Sequence, residues 1–195
     1  MRGGDVDRNQ ATFEAFDGVE IRLLNGRVVR SSALTVAEAV HYLRLIERVD
    51  ADDLTAVTEF VAEFPQRVGI QDEKLADLGL EVSGPGAVPL SFGDLTVKDG
   101  LSLASLYAQS IQDGPRAPKA QIRVLDEFPA TFGLDAAVLA PSDVFDVARG
   151  FTEALYLHIY GLARDFCRHL TTSPRVKVME LRAAGSWSST PASMT

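Results

Sequence analysis

Residues 34–39 read Leu-Thr-Val-Ala-Glu-Ala, and 61 positions later residues 95–100 read Leu-Thr-Val-Lys-Asp-Gly. A second match, Glu-Phe-Pro, falls at residues 63–65 and again, 64 positions later, at residues 127–129. The two offsets differ by three residues, and this difference falls where a loop between two helices is expected. Two matches in the same order therefore indicate a duplicated helical unit.

Each copy opens with residues that are typical of a helix start. Thr35 is a good N-cap, and Glu38 stands three positions on, so the two side chains can each satisfy a free N–H group of the first turn. Thr96 and Asp99 repeat this capping box in the second copy with a shorter acid. Apolar residues then recur at spacings of three and four, which predicts amphipathic helices.

The repeated Phe-Pro pairs are predicted to mark helix ends. Because the residue before a proline is disfavoured in the α region, we expect one helix to stop at Pro65 and another at Pro129. The phenylalanine before each proline would close its helix onto the core. Caps and stops of this kind are structural, so the repeat itself does not predict a chemical site.

The predicted fold class is mainly α with a small antiparallel β element. Residues 19–24 and 27–30 flank an Asn-Gly pair, which is typical of a two-residue type I′ hairpin turn. Such a turn would place Leu23 opposite Val28. Residues 175–182 alternate between polar and apolar side chains, and this pattern predicts a strand that extends the hairpin to three strands.

Residues 142–170 are predicted to form one long helix that has no partner in the first copy. Its main apolar stripe is accompanied by a second, nearly adjacent one, and a face this broad belongs to a central helix or to one that also meets a partner. Gly150 and Gly161 are expected to let another backbone approach closely, and a kink of the helix is the alternative. The predicted partner-binding residues are those of the second stripe and the tryptophan of the tail: Tyr156, Tyr160, Ala163, Cys167 and Trp187.

The chain is predicted to divide into five segments at breaker clusters and composition shifts. They are a flexible N-terminus (1–15), a hairpin plus first helical unit (16–82), a linker (83–94), a second helical unit with the long helix and the terminal strand (95–182), and a disordered tail (183–195).

Composition excludes several classes of function. The net charge of −8 is carried without a Lys/Arg cluster, which argues against a nucleic-acid partner. No stretch approaches the about 20 apolar residues of a membrane span, and the N-terminal residues do not resemble a secretory signal. Cys167 is the single cysteine, which rules out an internal disulfide and fits a cytoplasmic, reducing compartment.

Motifs that carry chemistry are absent from the sequence: there is no phosphate-binding loop, nucleophile elbow or paired-cysteine motif. Cys167 and His169 lie two positions apart and would point away from each other on a helix. His41 and His158 have no second ligand at metal-binding spacing. We therefore predict no catalytic residue, no metal site, no cofactor and no enzymatic activity.

The order of these elements resembles the small helical accessory proteins of tailed bacteriophages, especially tail assembly chaperones. Those proteins often begin with a short hairpin and a Leu-Thr-x-x-Glu-Ala helix, and many carry a Phe-Pro corner followed by a Pro-Ser-acid helix start, here at residues 139–143. The resemblance covers roughly residues 17–75 and 125–165. It implies a non-enzymatic protein that self-associates or binds tape measure and tail tube subunits, in the host cytoplasm or in the virion.

Two other classes stay open on the sequence. One is an oligomeric helical adaptor or regulator in a bacterial cell, which the neighbouring genes would distinguish from a phage protein. The other is a hydrolase or transferase whose site is assembled from scattered carboxylates with His41, His158 or His169. A deep polar pocket that joins two of these histidines to a carboxylate would favour the enzyme.

Overall fold

The computed structural model describes residues 19–112, 118–172 and 177–180. Within these ranges the chain is mainly helical with a small sheet, as predicted. The elements in chain order are β1 (Val19–Arg22), β2 (Val28–Arg30), α1 (Val36–Asp50), α2 (Leu54–Val68), a 3₁₀ turn (Pro85–Ala87), α3 (Val97–Gln112), α4 (Pro118–Phe132), α5 (Pro141–Thr172) and β3 (Lys177–Glu180).

The duplicated unit folds as two pairs of packed helices, α1 with α2 and α3 with α4. The long helix α5 packs against all four of them, so it is the central element of the fold. Its apolar face is broad because two helix pairs cover it. A single core cluster joins both pairs.

The repeated helix starts are confirmed. In the first copy the Thr35 hydroxyl accepts the Glu38 N–H at 3.2 Å, and the Glu38 carboxylate accepts the Thr35 N–H at 2.8 Å. In the second copy the Thr96 hydroxyl accepts the Asp99 N–H at 3.2 Å. The shorter Asp99 carboxylate accepts the Thr96 hydroxyl at 2.7 Å. Both caps satisfy N–H groups that have no partner inside a helix.

The prediction that Pro65 and Pro129 stop their helices is wrong. Helix α2 continues to Val68 and helix α4 continues to Phe132, so each proline lies in the last helical turn. A proline there removes one helical hydrogen bond. Pro65 and Pro129 are themselves buried, and the phenylalanine before each is fully buried, so burial offsets the lost bond.

Glycines end these two helices instead. Gly69 adopts the left-handed conformation at φ 81°, and the N–H of Ile70 donates to the carbonyl of Pro65 at 2.9 Å. The second copy repeats this arrangement. Gly133 has φ 63°, and the Leu134 N–H donates to the Pro129 carbonyl at 2.9 Å. This is the Schellman type of helix end, in which the proline contributes a carbonyl acceptor rather than a stop signal.

The predicted hairpin exists, but its register differs by one residue. Ile21 pairs with Val29, and the Leu23 N–H donates to the Arg27 carbonyl at 2.8 Å, so the loop contains three residues. Gly26 takes φ 84° and its N–H donates to the Leu23 carbonyl at 3.0 Å. A three-residue loop with glycine in the left-handed position is the next most common hairpin loop. This register places Val29 opposite Ile21, so Val29 rather than Val28 faces inward.

The third strand joins this hairpin, as predicted. The strand order is β2-β1-β3, with β2 antiparallel and β3 parallel to β1. The sheet is therefore mixed rather than purely antiparallel. The parallel pair is possible because the connection between β1 and β3 is long: it includes β2 and all five helices.

The phenylalanine of each Glu-Phe-Pro match packs on a phenylalanine of α5. Ring centroids lie 5.5 Å apart for Phe64 and Phe166, and 6.0 Å apart for Phe128 and Phe151. Both contacts are T-shaped, a favourable arrangement for aromatic rings. The first copy thus packs on the C-terminal half of α5, and the second copy on the N-terminal half.

The two glycines predicted to allow close packing in α5 do not both do so. A Cβ built on Gly150 would meet no atom within 4 Å, so the prediction is wrong at this position. Gly161 is buried. The close approach occurs instead in α3, where a Cβ on Gly100 would lie 2.9 Å from Leu75 and 3.3 Å from Phe151.

The segment predicted as a linker contributes to the core. Within residues 83–94, Leu90 and Phe92 are buried, and the Phe92 ring lies 6.1 Å from that of Phe132. Both residues therefore belong to the common core rather than to an exposed connection.

Candidate functional site

The structure divides the predicted partner-binding stripe of α5. Ala163 and Cys167 are 0 % and 1 % exposed, so they belong to the core and are not accessible to a partner. The reason is the central position of α5: Tyr160 of the same stripe makes a T-shaped contact with Phe60 of α2 at 6.0 Å. Trp187 lies outside the described residues.

Tyr156 and Tyr160 keep part of their surface exposed beside the exposed Leu157. Burial raises the pKa of both phenols above the ordinary value of 10.0. Among the described residues of the predicted surface, this small patch is what remains accessible.

The single cysteine has no reactive environment. Burial raises the pKa of the Cys167 thiol to about 12, so the thiolate needed for nucleophilic attack is not formed at neutral pH. The side chain of His169 lies outside the described residues.

The two described histidines have unrelated surroundings. His41 lies on the surface, with its Nε2 2.8 Å from the Glu63 carboxylate. His158 Nε2 donates to the Leu78 carbonyl at 2.8 Å, and burial lowers the pKa of this imidazole. In residues 19–112, 118–172 and 177–180 no group of three or more His, Cys, Asp or Glu side chains could hold a metal ion.

Charged side chains in the first unit serve to join helix ends. Arg67 donates to the carbonyls of Ser32 and Ala33 and to the Glu38 carboxylate at 2.8 Å. The hydrogen bond from Arg67, together with that from the Thr35 N–H, lowers the pKa of Glu38 to about 2. The ion pair of Arg67 and Glu38 thus holds the start of α1 against the end of α2, which is a structural role rather than an acid–base role.

An apolar groove of about 300 Å³ opens between the segment before α3 and the segment after α4. Ser91 and Asp135 are its polar side chains. Val88 and Val138 are 63 % and 77 % exposed, which is high for side chains of this type. The groove is lined by Gly84, Pro85, Val88, Pro89, Leu90, Ser91, Phe132, Leu134, Asp135, Val138 and Leu139.

Sequence reasoning missed this groove, although one signal for it exists. The copies agree up to Leu75 and Leu139, yet residues 71–75 read Gln-Asp-Glu-Lys-Leu where residues 135–139 read Asp-Ala-Ala-Val-Leu. A mostly polar segment in the first copy is thus replaced by a mostly apolar one in the second. An apolar segment that stays exposed indicates an interaction surface.

Comparison of the chain with protein-family models, with curated proteins and with solved structures found no match. Among the described helices, none combines the length and the apolar character needed to cross a bilayer.

Proposed function

We propose that this protein is a non-enzymatic assembly protein of the tail assembly chaperone type, which binds apolar segments of other proteins. The observation that carries the proposal is the apolar groove with its exposed valines, Val88 and Val138. Isolated exposed apolar residues are common on protein surfaces, but an open groove lined by them is typical of a binding site.

The shape and chemistry of the groove favour a protein segment over a small metabolite. Its lining offers a carboxylate at Asp135 and a hydroxyl at Ser91, too few polar groups to orient a polar substrate. An amphipathic helix or an extended apolar strand needs only pockets for a few side chains. The helical tape measure protein and the tail tube subunit are the partners that the resemblance implies, and the proposed place of action is the host cytoplasm.

The test is co-expression of the tagged chain with the proteins encoded by its neighbouring genes, followed by affinity purification. We expect a tail component to be retained at micromolar concentration. Val88→Lys should reduce retention at least about tenfold, because bringing a charge into an apolar contact costs its hydration. Leu54→Lys is the matched control, since Leu54 is an exposed apolar residue at the start of α2.

Two results would count against the proposal. One is that no neighbouring protein is retained. The other is that the Val88→Lys variant, folded as judged by circular dichroism, retains the partner as well as the Leu54→Lys control does.

A further inference from the structure

The two helical units meet through a short backbone pairing. The segment that follows α2 lies antiparallel to the segment that opens α3, with a bridge between Lys74 and Thr96. Three backbone hydrogen bonds hold it, each at 2.9 Å: Leu75 N–H to the Leu95 carbonyl, Val97 N–H to the Glu73 carbonyl, and Lys98 N–H to the Gln71 carbonyl.

This junction covers the start of α3. Val97 is completely buried, and two N–H groups of the first helical turn receive carbonyl partners from the preceding unit. At its edge the Lys74 ammonium pairs with the Asp94 carboxylate.

Both sides of this junction occur a second time in the chain, at opposite ends of the repeat. The offset of 64 relates residues 71–75 to residues 135–139, and the offset of 61 relates residues 94–98 to residues 33–37. Val36, the counterpart of the buried Val97, is 50 % exposed.

The two counterpart segments, residues 135–139 and 33–37, differ from the internal junction in one pair of side chains. Lys74 and Asp94 correspond to Val138 and Ala33. The ion pair of the internal junction is therefore replaced by two apolar side chains, and both of them are exposed. An apolar pair is favourable only if the two surfaces meet, because each is otherwise in water.

We propose that residues 135–139 of one copy dock on residues 33–37 of a second copy, head to tail, with the backbone pairing of the internal junction. Ala39 is already buried within its own chain, whereas its counterpart Gly100 contacts Leu75, so the intermolecular contact is limited to the backbone pairing and to the side chains around Val36 and Val138. A contact between two different surfaces can continue from copy to copy. The inference deepens the proposed function, since it names a second copy of the chain as one partner.

The test is sedimentation velocity of the purified chain over a range of concentrations. We expect the weight-average mass to rise with concentration. Val36→Lys blocks one surface and Val138→Lys blocks the other, so each variant alone should need at least about a tenfold higher concentration to associate. An equimolar mixture of the two should form dimers and stop there, because each mixed pair retains a single intact junction.

A charge-pair variant and a control complete the design. Ala33→Asp combined with Val138→Lys recreates the internal ion pair and should restore association. Leu157→Lys, at an exposed site on α5, should leave association unchanged. A chain that stays monomeric up to about 1 mM would overturn the inference, and so would a mixture of the two single variants that stays monomeric while the wild type associates.

These outcomes are separate from those for the proposed function. Val36→Lys leaves the groove intact, so a variant that is monomeric and still retains a tail partner would support the proposed function alone. Val138 lines the groove as well, so Val36→Lys, and not Val138→Lys, is the variant that distinguishes the two proposals.

Discussion

Thr35 and Glu38 form the helix cap that recurs in the second copy, with reciprocal hydrogen bonds of 3.2 and 2.8 Å. Replacement of Thr35 by alanine removes the acceptor for the Glu38 N–H. We expect Thr35→Ala to lower the free energy of unfolding by about 0.5–2 kcal/mol. Urea unfolding followed by circular dichroism measures this change.

Ser102→Ala is the matched control, because the Ser102 hydroxyl only donates to the Lys98 carbonyl within the same helix, at 3.0 Å. Its unfolding midpoint should hardly move. An unchanged midpoint in Thr35→Ala would show that the cap does not stabilise the protein.

Gly150 and Gly100 give a matched pair of helical glycines with opposite surroundings. Gly150→Ala places a methyl group in open space and should stabilise the protein by about 0.5–1 kcal/mol through helix propensity. Gly100→Ala gains the same propensity but brings a methyl group to 2.9 Å from Leu75 in the core. We expect it to be less stable than Gly150→Ala by about 1–3 kcal/mol, from overpacking.

Thermal unfolding of both variants, measured side by side, tests this comparison. Equal stability of the two would mean that Leu75 and its neighbours move aside without cost.

At the residue scale the caps could be predicted because a capping box is local: Thr35, Glu38 and the helix they start are adjacent in the chain. Which helical glycine packs closely against another element could not be predicted in this way. Gly100 and Gly150 both lie within helical sequence, and only the fold shows that the first faces Leu75 and Phe151 while the second faces open space.

At the scale of elements, His158 ties the central helix α5 to the segment between the two helical units, through its hydrogen bond to the Leu78 carbonyl. Burial lowers the pKa of this imidazole below its usual 6.5, so the folded protein favours the neutral form. The resulting stability is present above about pH 6.5 and is lost as the pH falls below that value. We expect a loss of up to about 1.4 kcal/mol per pH unit.

His158→Gln keeps a side-chain N–H that can reach the carbonyl, but it does not titrate. Urea unfolding at about pH 7.5 and about pH 5.5 should therefore show a smaller loss for the variant than for the wild type. His41→Gln, at the surface, serves as the control for a histidine outside the core. A pH dependence that is identical in wild type and His158→Gln would contradict the assignment.

Element boundaries show where sequence reasoning is limited. Pro65 predicts a stop by its local rule, yet the helix continues to Val68 because the glycine that follows closes the end and the buried side chains of the last turn offset the lost hydrogen bond. The Asn-Gly pair predicts a two-residue loop, yet packing of Val29 against the core favours the register with a three-residue loop. In both cases tertiary contacts outweigh a local preference.

At the scale of the whole molecule, the two helical units share α5 and a continuous core, with Phe64 on one half of that helix and Phe128 on the other. We expect the units to unfold together in one cooperative transition, because neither keeps its core when α5 leaves. Hydrogen exchange of α2 and α4 at increasing urea should report the same midpoint. Two separate midpoints would indicate two independent domains.

The duplication and the central helix could be predicted from the sequence, because the repeated Leu-Thr-Val and Glu-Phe-Pro and the long apolar stripe are patterns along the chain. The groove could not, because it forms between residues 84–91 and 132–139, two segments that no periodicity relates. The stripe of α5 predicted a partner surface, and α1–α4 use most of that stripe for folding.

The pairing of β1 with β3 joins the first and last described elements of the chain, since Ile21 lies beside Met179. During synthesis the ribosome releases β1 long before it makes β3, so the sheet cannot be completed until residues 177–180 have left the ribosome. Both helical units and α5 can fold before β3 is made, and only the pairing of β1 with β3 has to follow. A nascent chain that is truncated before Lys177 would thus leave β1 with an open edge, and open strand edges promote aggregation.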